Sequence, residues 1–76
     1  MNGDVKSRTA LKAELENASL YVWPKEDSWA GIVDMKKEST MIQFVADSED
    51  SAKVEALRIA SASDAEWKAV GLISRW

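Results

Sequence analysis

The sequence predicts an α+β fold in which an N-terminal helix precedes a three-stranded antiparallel β-meander, followed by one longer and one short C-terminal helix. Three observations predict it: helical spacing of apolar residues near the N-terminus, three runs of strand-forming residues separated by turn sequences, and an acidic, serine-containing segment ahead of an alanine-rich run. With 76 residues, 46% of them hydrophobic and 30% charged, the chain is expected to fold as one small domain covering residues 1–76.

The first helix is predicted over residues 4–18. This segment is rich in alanine, leucine, lysine and glutamate, all of which favour helices. Leu11, Leu15 and Ala18 have the spacing i, i+4, i+7, which would place them on one core-facing stripe. Asp4 or Ser7 could cap the helix.

Three strands are predicted next, over residues 20–23, 29–36 and 40–46. A turn containing Pro24 covers residues 24–28, and a charged turn covers residues 36–39. Because both loops are short, neighbouring strands are expected to be antiparallel.

The C-terminal part is predicted to be helical. Residues 47–51 combine three acids with two serines that could cap a helix, which is then expected to run through Ala62. Ser63 and Glu66 have capping-box spacing, so a short third helix is predicted there, ending near Gly71. Residues 72–76 fit either a further strand or a helical turn.

Both faces of the predicted sheet are apolar. Alternation places Tyr21 and Trp23 opposite Leu20 and Val22, and neither side is polar. The predicted helices suffice to cover one face well. Either the other face is open to a partner, or the chain is a closed monomer with the first helix on one face and the later helices on the other. The side chains assigned to the interaction face are Tyr21, Trp23, Trp29, Met35 and Met41, together with Gln43.

Two smaller clusters accompany this face. Trp23 and Trp29 flank one hairpin loop and could form either a local staple or an anchor for a partner. Asp47, Glu49 and Asp50 lie at a predicted helix start, where acids interact favourably with the helix dipole and could also steer a partner electrostatically. They do not form a calcium loop, because the sixth and twelfth positions counted from Asp47 are alanine and arginine.

Most catalytic sites are excluded by composition. The chain has no cysteine and no histidine, which removes thiolate nucleophiles, thiolate or imidazole metal ligands, and serine-histidine triads. The remaining carboxylate pairs, Asp34 with Glu38 and Glu26 with Asp27, involve predicted turns where carboxylates are normally solvated. We therefore expect no enzymatic activity, no cofactor and no metal.

The predicted order of elements is similar to that of the double-stranded-RNA-binding domain. That family places several lysines at the start of its final helix, whereas residues 48–53 of this chain are acidic with a single lysine. The net charge is −3, which also disfavours binding to phosphate backbones. The resemblance therefore implies a shared layout, and nucleic-acid binding is only an alternative function.

The preferred function is a non-enzymatic protein-protein interaction module that acts by occupying a partner surface. The predicted partner-binding residues are Tyr21, Trp23, Trp29, Met35, Met41, Asp47, Glu49 and Asp50. In its size, acidity and lack of cysteine and histidine the chain resembles inhibitor proteins encoded by phages and other mobile elements, including anti-CRISPR proteins, although no motif is shared. A homo-oligomer, including a homodimer, is the close alternative.

The expected location is the cytoplasm. The N-terminus lacks a basic segment followed by an apolar run, so a secretory signal is not visible. Apolar stretches are far shorter than the roughly 20 residues that cross a bilayer, so no membrane contact is expected.

Overall fold

The protein forms a five-stranded antiparallel sheet with one helix packed on it, as seen in a computed structural model that describes residues 9–71. The strands are paired in the order β4-β3-β2-β1-β5. The elements are β1 (Thr9–Glu14), β2 (Ala18–Lys25), β3 (Ser28–Met35), β4 (Thr40–Ala46), α1 (Glu49–Ala60) and β5 (Lys68–Gly71).

The path of the chain determines which strands lie at the edges of the sheet. Strands β1 to β4 form a meander, in which each strand pairs with the one before it. Helix α1 then contacts β2, β3 and β4 from one side, and the chain continues to β5, which pairs with β1. Within residues 9–71, the sheet therefore has β4 at one edge and β5 at the other.

The predicted N-terminal helix is wrong for the residues that the structure describes. Residues 9–14 form β1, an inner strand that pairs with both β2 and β5. Leu11 and Ala13 face the helix, whereas Ala10 belongs to a cluster on the opposite side. The side chains thus alternate between the two faces with the two-residue period of a strand. Pairing on both sides overrides the helix propensity of this segment. Residues 4–8 of the predicted helix lie outside the described range.

The predicted short third helix is also wrong. Residues 63–67 are irregular, and residues 68–71 form β5. Ser63 and Glu66 therefore do not begin a helix, and the Asp64 carboxylate between them accepts a hydrogen bond from the adjacent Ala65 amide at 2.8 Å. The open question of a strand or a helical turn at residues 72–76 lies outside the described residues.

The predicted three-stranded sheet is wrong, because the described sheet has five strands. The three predicted strands correspond to β2, β3 and β4, and the longer predicted helix corresponds to α1. Ser48 is the N-cap, with its hydroxyl accepting from the Ser51 amide at 3.2 Å. Ser61 ends the helix in the left-handed conformation with φ 58°. Within residues 9–71, no helix has the length and apolar character that a bilayer crossing needs.

The main core lies between α1 and the face of the sheet that it covers, which we call the helix face. Ala52, Ala56 and Ala60 recur every four residues along one side of α1 and are fully buried. They lie against a sheet layer in which the largest fully buried side chains are Leu20, Val22 and Val33. Small helix residues let the backbone of α1 approach the sheet closely.

The opposite side of the sheet, which we call the second face, carries a smaller cluster. Ala10, Trp23, Ala30 and Ile32 are buried there, with Tyr21 and Val70 packed against them. Trp23 is only 6% exposed. The middle of the second face is therefore core, and its accessible apolar side chains lie elsewhere.

Gly31 fixes how β4 lies on β3. It is the cross-strand partner of Phe44, and a Cβ added to Gly31 would lie 2.7 Å from Cε2 of the Phe44 ring, well inside van der Waals contact. The ring occupies the space that any larger residue would fill. This close approach holds Phe44 on the helix face, and therefore turns its neighbours along β4 toward the second face.

We expect Gly31→Ala to lower the free energy of unfolding by about 1–3 kcal/mol, because the added methyl must displace the Phe44 ring. Urea unfolding followed by tryptophan fluorescence measures this effect. Gly71→Ala is the matched control, since nothing lies within 4 Å of a Cβ at Gly71 and the free energy should change by less than about 0.5 kcal/mol. Equal losses in the two variants would contradict the role given to the Phe44 ring.

An ionic cluster joins β1, β2 and the turn after β3, at the end of the sheet near the β1–β2 turn. Lys36 pairs with the Glu14 carboxylate and donates to the carbonyl of Leu15 at 3.1 Å. The buried Ser19 hydroxyl donates to both Glu14 oxygens at 3.0 and 3.1 Å. The hydrogen bond from Lys36, with a further one from Ser19, holds the pKa of Glu14 below its ordinary value.

Acid titration provides a test of this cluster. A carboxylate whose pKa is lowered by folding stabilises the folded state above its unfolded pKa, and this contribution disappears as the pH falls through the folded pKa. We expect Glu14→Gln to flatten the fall in stability below about pH 4.5, the usual range for glutamate. Urea midpoints measured from pH 7 to pH 3 check this. An unchanged slope in the variant would show that Glu14 does not contribute.

Candidate protein-binding edge

Strand β4 has the features of an unprotected sheet edge. No other described strand pairs with its outer side, so its outward-pointing amides and carbonyls have no ladder partner within residues 9–71. Its sequence, TMIQFVA, contains no charged residue, no proline and no glycine. Natural proteins normally protect edge strands with charges, proline, bulges or a short length. β4 is seven residues long and has neither charge nor proline.

The side chains of β4 are also unusually exposed. Met41 is 59% exposed and Val45 is 69% exposed, both on the second face, while Ile42 on the helix face is 37% exposed. These are three of the four large hydrophobic residues that are exposed in the described part of the chain. The fourth, Val54, lies on α1 away from the sheet. Exposed apolar residues are therefore concentrated on one strand.

Charged segments flank the two ends of β4. The turn before it contains Lys36, Lys37 and Glu38; Lys36 is engaged by Glu14, whereas Lys37 and Glu38 form no ion pair within residues 9–71 and balance each other in charge. The segment after β4 contains Asp47 and Asp50, which are exposed and likewise form no ion pair among the described residues. The site thus has an apolar middle, a start of balanced charge and an acidic end.

The predicted interaction residues do not share one face. Lys25 pairs with Ser28, and the same register pairs Trp23 with Ala30 and Pro24 with Trp29. This places Trp29 and Met35 on the helix face, where they are half-buried against the main core. Tyr21, Trp23 and Met41 lie on the second face, and among these three Met41 is the exposed one.

The predicted acidic residues lie at the start of α1. Asp47 is in the bend after β4, Glu49 is the first helical residue, and Asp50 follows it. Glu49 pairs with Lys53 one turn later, at 3.0 Å. Within residues 9–71 no three carboxylates converge as a metal site would require. Whether these acids, or the aromatic and methionine residues above, bind a partner stays a prediction.

Two exposed residues of the edge were missed by the sequence reasoning. Ile42 and Val45 belong to the third predicted strand, but their exposure depends on β4 being the last strand on its side of the sheet. The available signal was the position of this strand at the end of the predicted meander. The last strand of a meander is an edge unless a further strand pairs with it, and an edge of seven uncharged residues without the usual protection would expose its apolar side chains.

A groove on the second face near the opposite edge is a weaker candidate. Its lining residues are Lys12, Glu14, Glu66, Lys68 and Val70. Two lysines offset two glutamates there, and Lys12 lies 3.6 Å from Glu14 and over the ring of Tyr21. The groove therefore has no net charge with which to select a charged ligand, and Lys12 is already engaged by the protein.

Comparison with known proteins adds no relative. No family model, no curated protein and no solved structure matches the chain. The candidate site consequently rests on the geometry and chemistry of β4 and the segments beside it.

Exposure predicts that the edge tolerates charge without loss of the fold. Met41→Lys should leave the free energy of unfolding within about 0.5 kcal/mol of wild type, because Met41 is largely exposed and lies opposite Asp34. Leu20→Ala, at a fully buried site, should cost about 2–5 kcal/mol. Thermal and urea unfolding of both variants measure this. A loss of more than about 2 kcal/mol in Met41→Lys would show that Met41 is core.

Proposed function

We propose that the protein is a non-enzymatic protein-binding module that captures its partner by strand addition at β4. The observation that supports this proposal most directly is the coincidence, on one strand, of an unpaired backbone edge and exposed apolar side chains. In strand addition, main-chain hydrogen bonds supply affinity and alternate side chains supply specificity. Met41 and Val45 would supply the specificity on the second face.

The accessible apolar side chains and backbone groups favour the β4 edge, over either face of the sheet, as the binding site. The helix face is covered by α1, and the middle of the second face is a buried cluster around Trp23. A partner lying flat on the second face would find Met41 and Val45 at its margin, next to β4. A partner strand pairing with β4 would cover the same side chains and also satisfy the open backbone groups.

The size of the edge sets an expected affinity. A seven-residue antiparallel pairing gives on the order of six inter-strand hydrogen bonds, each with a net value of about 0.5–1.5 kcal/mol. Burying the exposed parts of Met41, Ile42 and Val45 adds a few kcal/mol more. Association itself costs at least about 4 kcal/mol, so mid-range values leave roughly 5 kcal/mol, and strand addition alone supports binding with a dissociation constant on the order of 0.1 mM.

The alternative of nucleic-acid binding is less well supported by the described residues. The described fold has strand β1 where the similarity to double-stranded-RNA-binding domains required a helix. The edge is uncharged along its length and acidic at one end. The similarity to phage-encoded inhibitors stays a prediction, because no described residue bears on it.

Affinity capture from the source cells with the full chain tests the proposal. A bound partner should be retained at least about tenfold less by Met41→Lys or Val45→Glu than by wild type, because each variant puts an unpaired charge into the apolar edge. Val54→Lys is the matched control, since it adds a charge at a comparably exposed apolar residue on α1 and should retain the partner fully.

A backbone measurement separates strand addition from side-chain docking. On binding the retained partner, the outward-pointing amides of β4 should exchange with deuterium at least about tenfold more slowly, since they would become hydrogen bonded. Retention that is equal in wild type and both edge variants, or binding with no added protection in β4, would overturn the proposed function.

A further inference from the structure

We infer that the partner fitted by the β4 edge is a second copy of this chain, paired antiparallel with the first about a twofold axis at Gln43. The inference rests on the proposed function, because it uses the same strand edge and names the occupant. The geometry of β4 supplies two arguments, the pattern of its side chains and the charges at its two ends, and the hydrogen bonding of the strand is compatible with the same pairing.

The side-chain pattern of β4 is self-complementary about its central residue. With Gln43 facing Gln43 of the second copy, Met41 of each chain faces Val45 of the other on the second face. On the helix face, Ile42 faces Phe44 of the second copy, and Thr40 faces Ala46. Every large apolar side chain of the strand meets an apolar side chain, and the one amide meets its equal, with which it can exchange hydrogen bonds.

Neighbouring registers lack this match. Shifting the second copy by two residues would place Gln43 against Met41 or Val45, which leaves the amide beside an apolar side chain and moves an exposed apolar residue past the end of the strand. A shift by one residue reverses the faces, so that side chains of the helix face would oppose those of the second face. The centred register is the one that pairs like with like.

The charges at the ends of β4 favour the antiparallel direction. Antiparallel pairing centred on Gln43 brings the turn with Lys37 and Glu38, whose charges balance, alongside the segment with Asp47 and Asp50 of the second copy, and the twofold axis repeats this contact at the other end. These groups form no ion pair among the described residues of their own chain. Parallel pairing would instead bring the two acidic segments together, which costs free energy.

The backbone permits the same register whichever amides point outward. A twofold axis at one residue pairs positions of equal parity, so outward-pointing groups always meet outward-pointing groups. If Gln43 points outward, the two Gln43 residues exchange both main-chain hydrogen bonds; if it points toward β3, Ile42 and Phe44 of the other copy do so. In both cases the seven-residue edge is satisfied by an identical edge.

A single cysteine at the axis reports the register directly, because the chain has no cysteine of its own. Cross-strand Cα atoms lie about 4.5–5.5 Å apart, within the roughly 4.4–6.8 Å that a disulfide spans. Gln43→Cys should therefore oxidise to a covalent dimer at least about tenfold faster than Met41→Cys under the same mild oxidation. Met41→Cys is the matched control, since its two sulfurs would be separated by about four strand residues, roughly 13 Å.

The outcomes of the cysteine experiment are distinct. Fast, selective cross-linking at position 43 supports the pairing. Equal rates at positions 41 and 43, or a faster rate at position 41, overturn it, because either result excludes the twofold axis at Gln43.

Sedimentation equilibrium of the full chain without added cysteine tests the association itself. Between about 1 μM and about 1 mM the mass should rise from 8.4 kDa toward twice that value, as expected for a small interface with a dissociation constant on the order of 0.1 mM. Met41→Lys and Val45→Glu should each remain monomeric. The variant carrying both substitutions should regain dimerisation, because the introduced ammonium group of each chain would then face the introduced carboxylate of the other copy.

Failure of this inference can be told apart from failure of the proposed function. A chain that stays monomeric at all concentrations overturns the homodimer; if the edge variants still lose a captured partner, strand addition to a different protein stands. A monomer whose partner binding is unaffected by Met41→Lys and Val45→Glu overturns both. Absence of rescue in the double variant, despite a wild-type dimer, overturns the register.

Discussion

The close packing of α1 on the sheet through its alanines determines where the edges of the sheet lie. Because Ala52, Ala56 and Ala60 lie directly on the layer formed by Leu20, Val22 and Val33, the helix crosses the central strands instead of extending beyond β4. The chain leaves α1 on the far side of the sheet and adds β5 to β1. The crossover thus covers one edge of the meander with a further strand and leaves β4 without a described neighbour on its outer side.

The contact between Gly31 and Phe44 determines which side chains of β4 project to each face of the sheet. With the Phe44 ring seated over Gly31 on the helix face, Met41, Gln43 and Val45 must project to the second face. A slip of one residue would have put the aromatic ring toward the second face and turned Met41 and Val45 to the side that α1 covers. The contact that anchors β4 to the core therefore also decides which apolar side chains the edge presents.

Local signals predicted the meander and α1, whereas non-local pairing decided the rest. The turns and the Ser48 cap can be read within a few residues, but β1 is a strand only because β2 and β5 pair with it, and its Ala, Lys, Leu and Glu residues favour a helix in isolation. The side chains that were predicted to share one face are divided between two faces by the register of the β2–β3 hairpin. The observed turn comprises Glu26, with φ 53°, and Asp27, so Trp23 pairs with Ala30 and not with Trp29; a register shifted by one residue would have placed both tryptophans on one side.

A dimer through β4 would be closed and would not propagate into a fibre. Pairing two β4 edges about a twofold axis uses the same surface on both copies, so no β4 edge remains to recruit a third chain. Among the described residues, the outermost strands of the resulting ten-stranded sheet would be the two β5 strands, which begin with Lys68. A charged residue on an edge strand disfavours further pairing, whereas β4 carries no charge. The self-complementary contact and this difference in charge favour a defined pair over open-ended assembly.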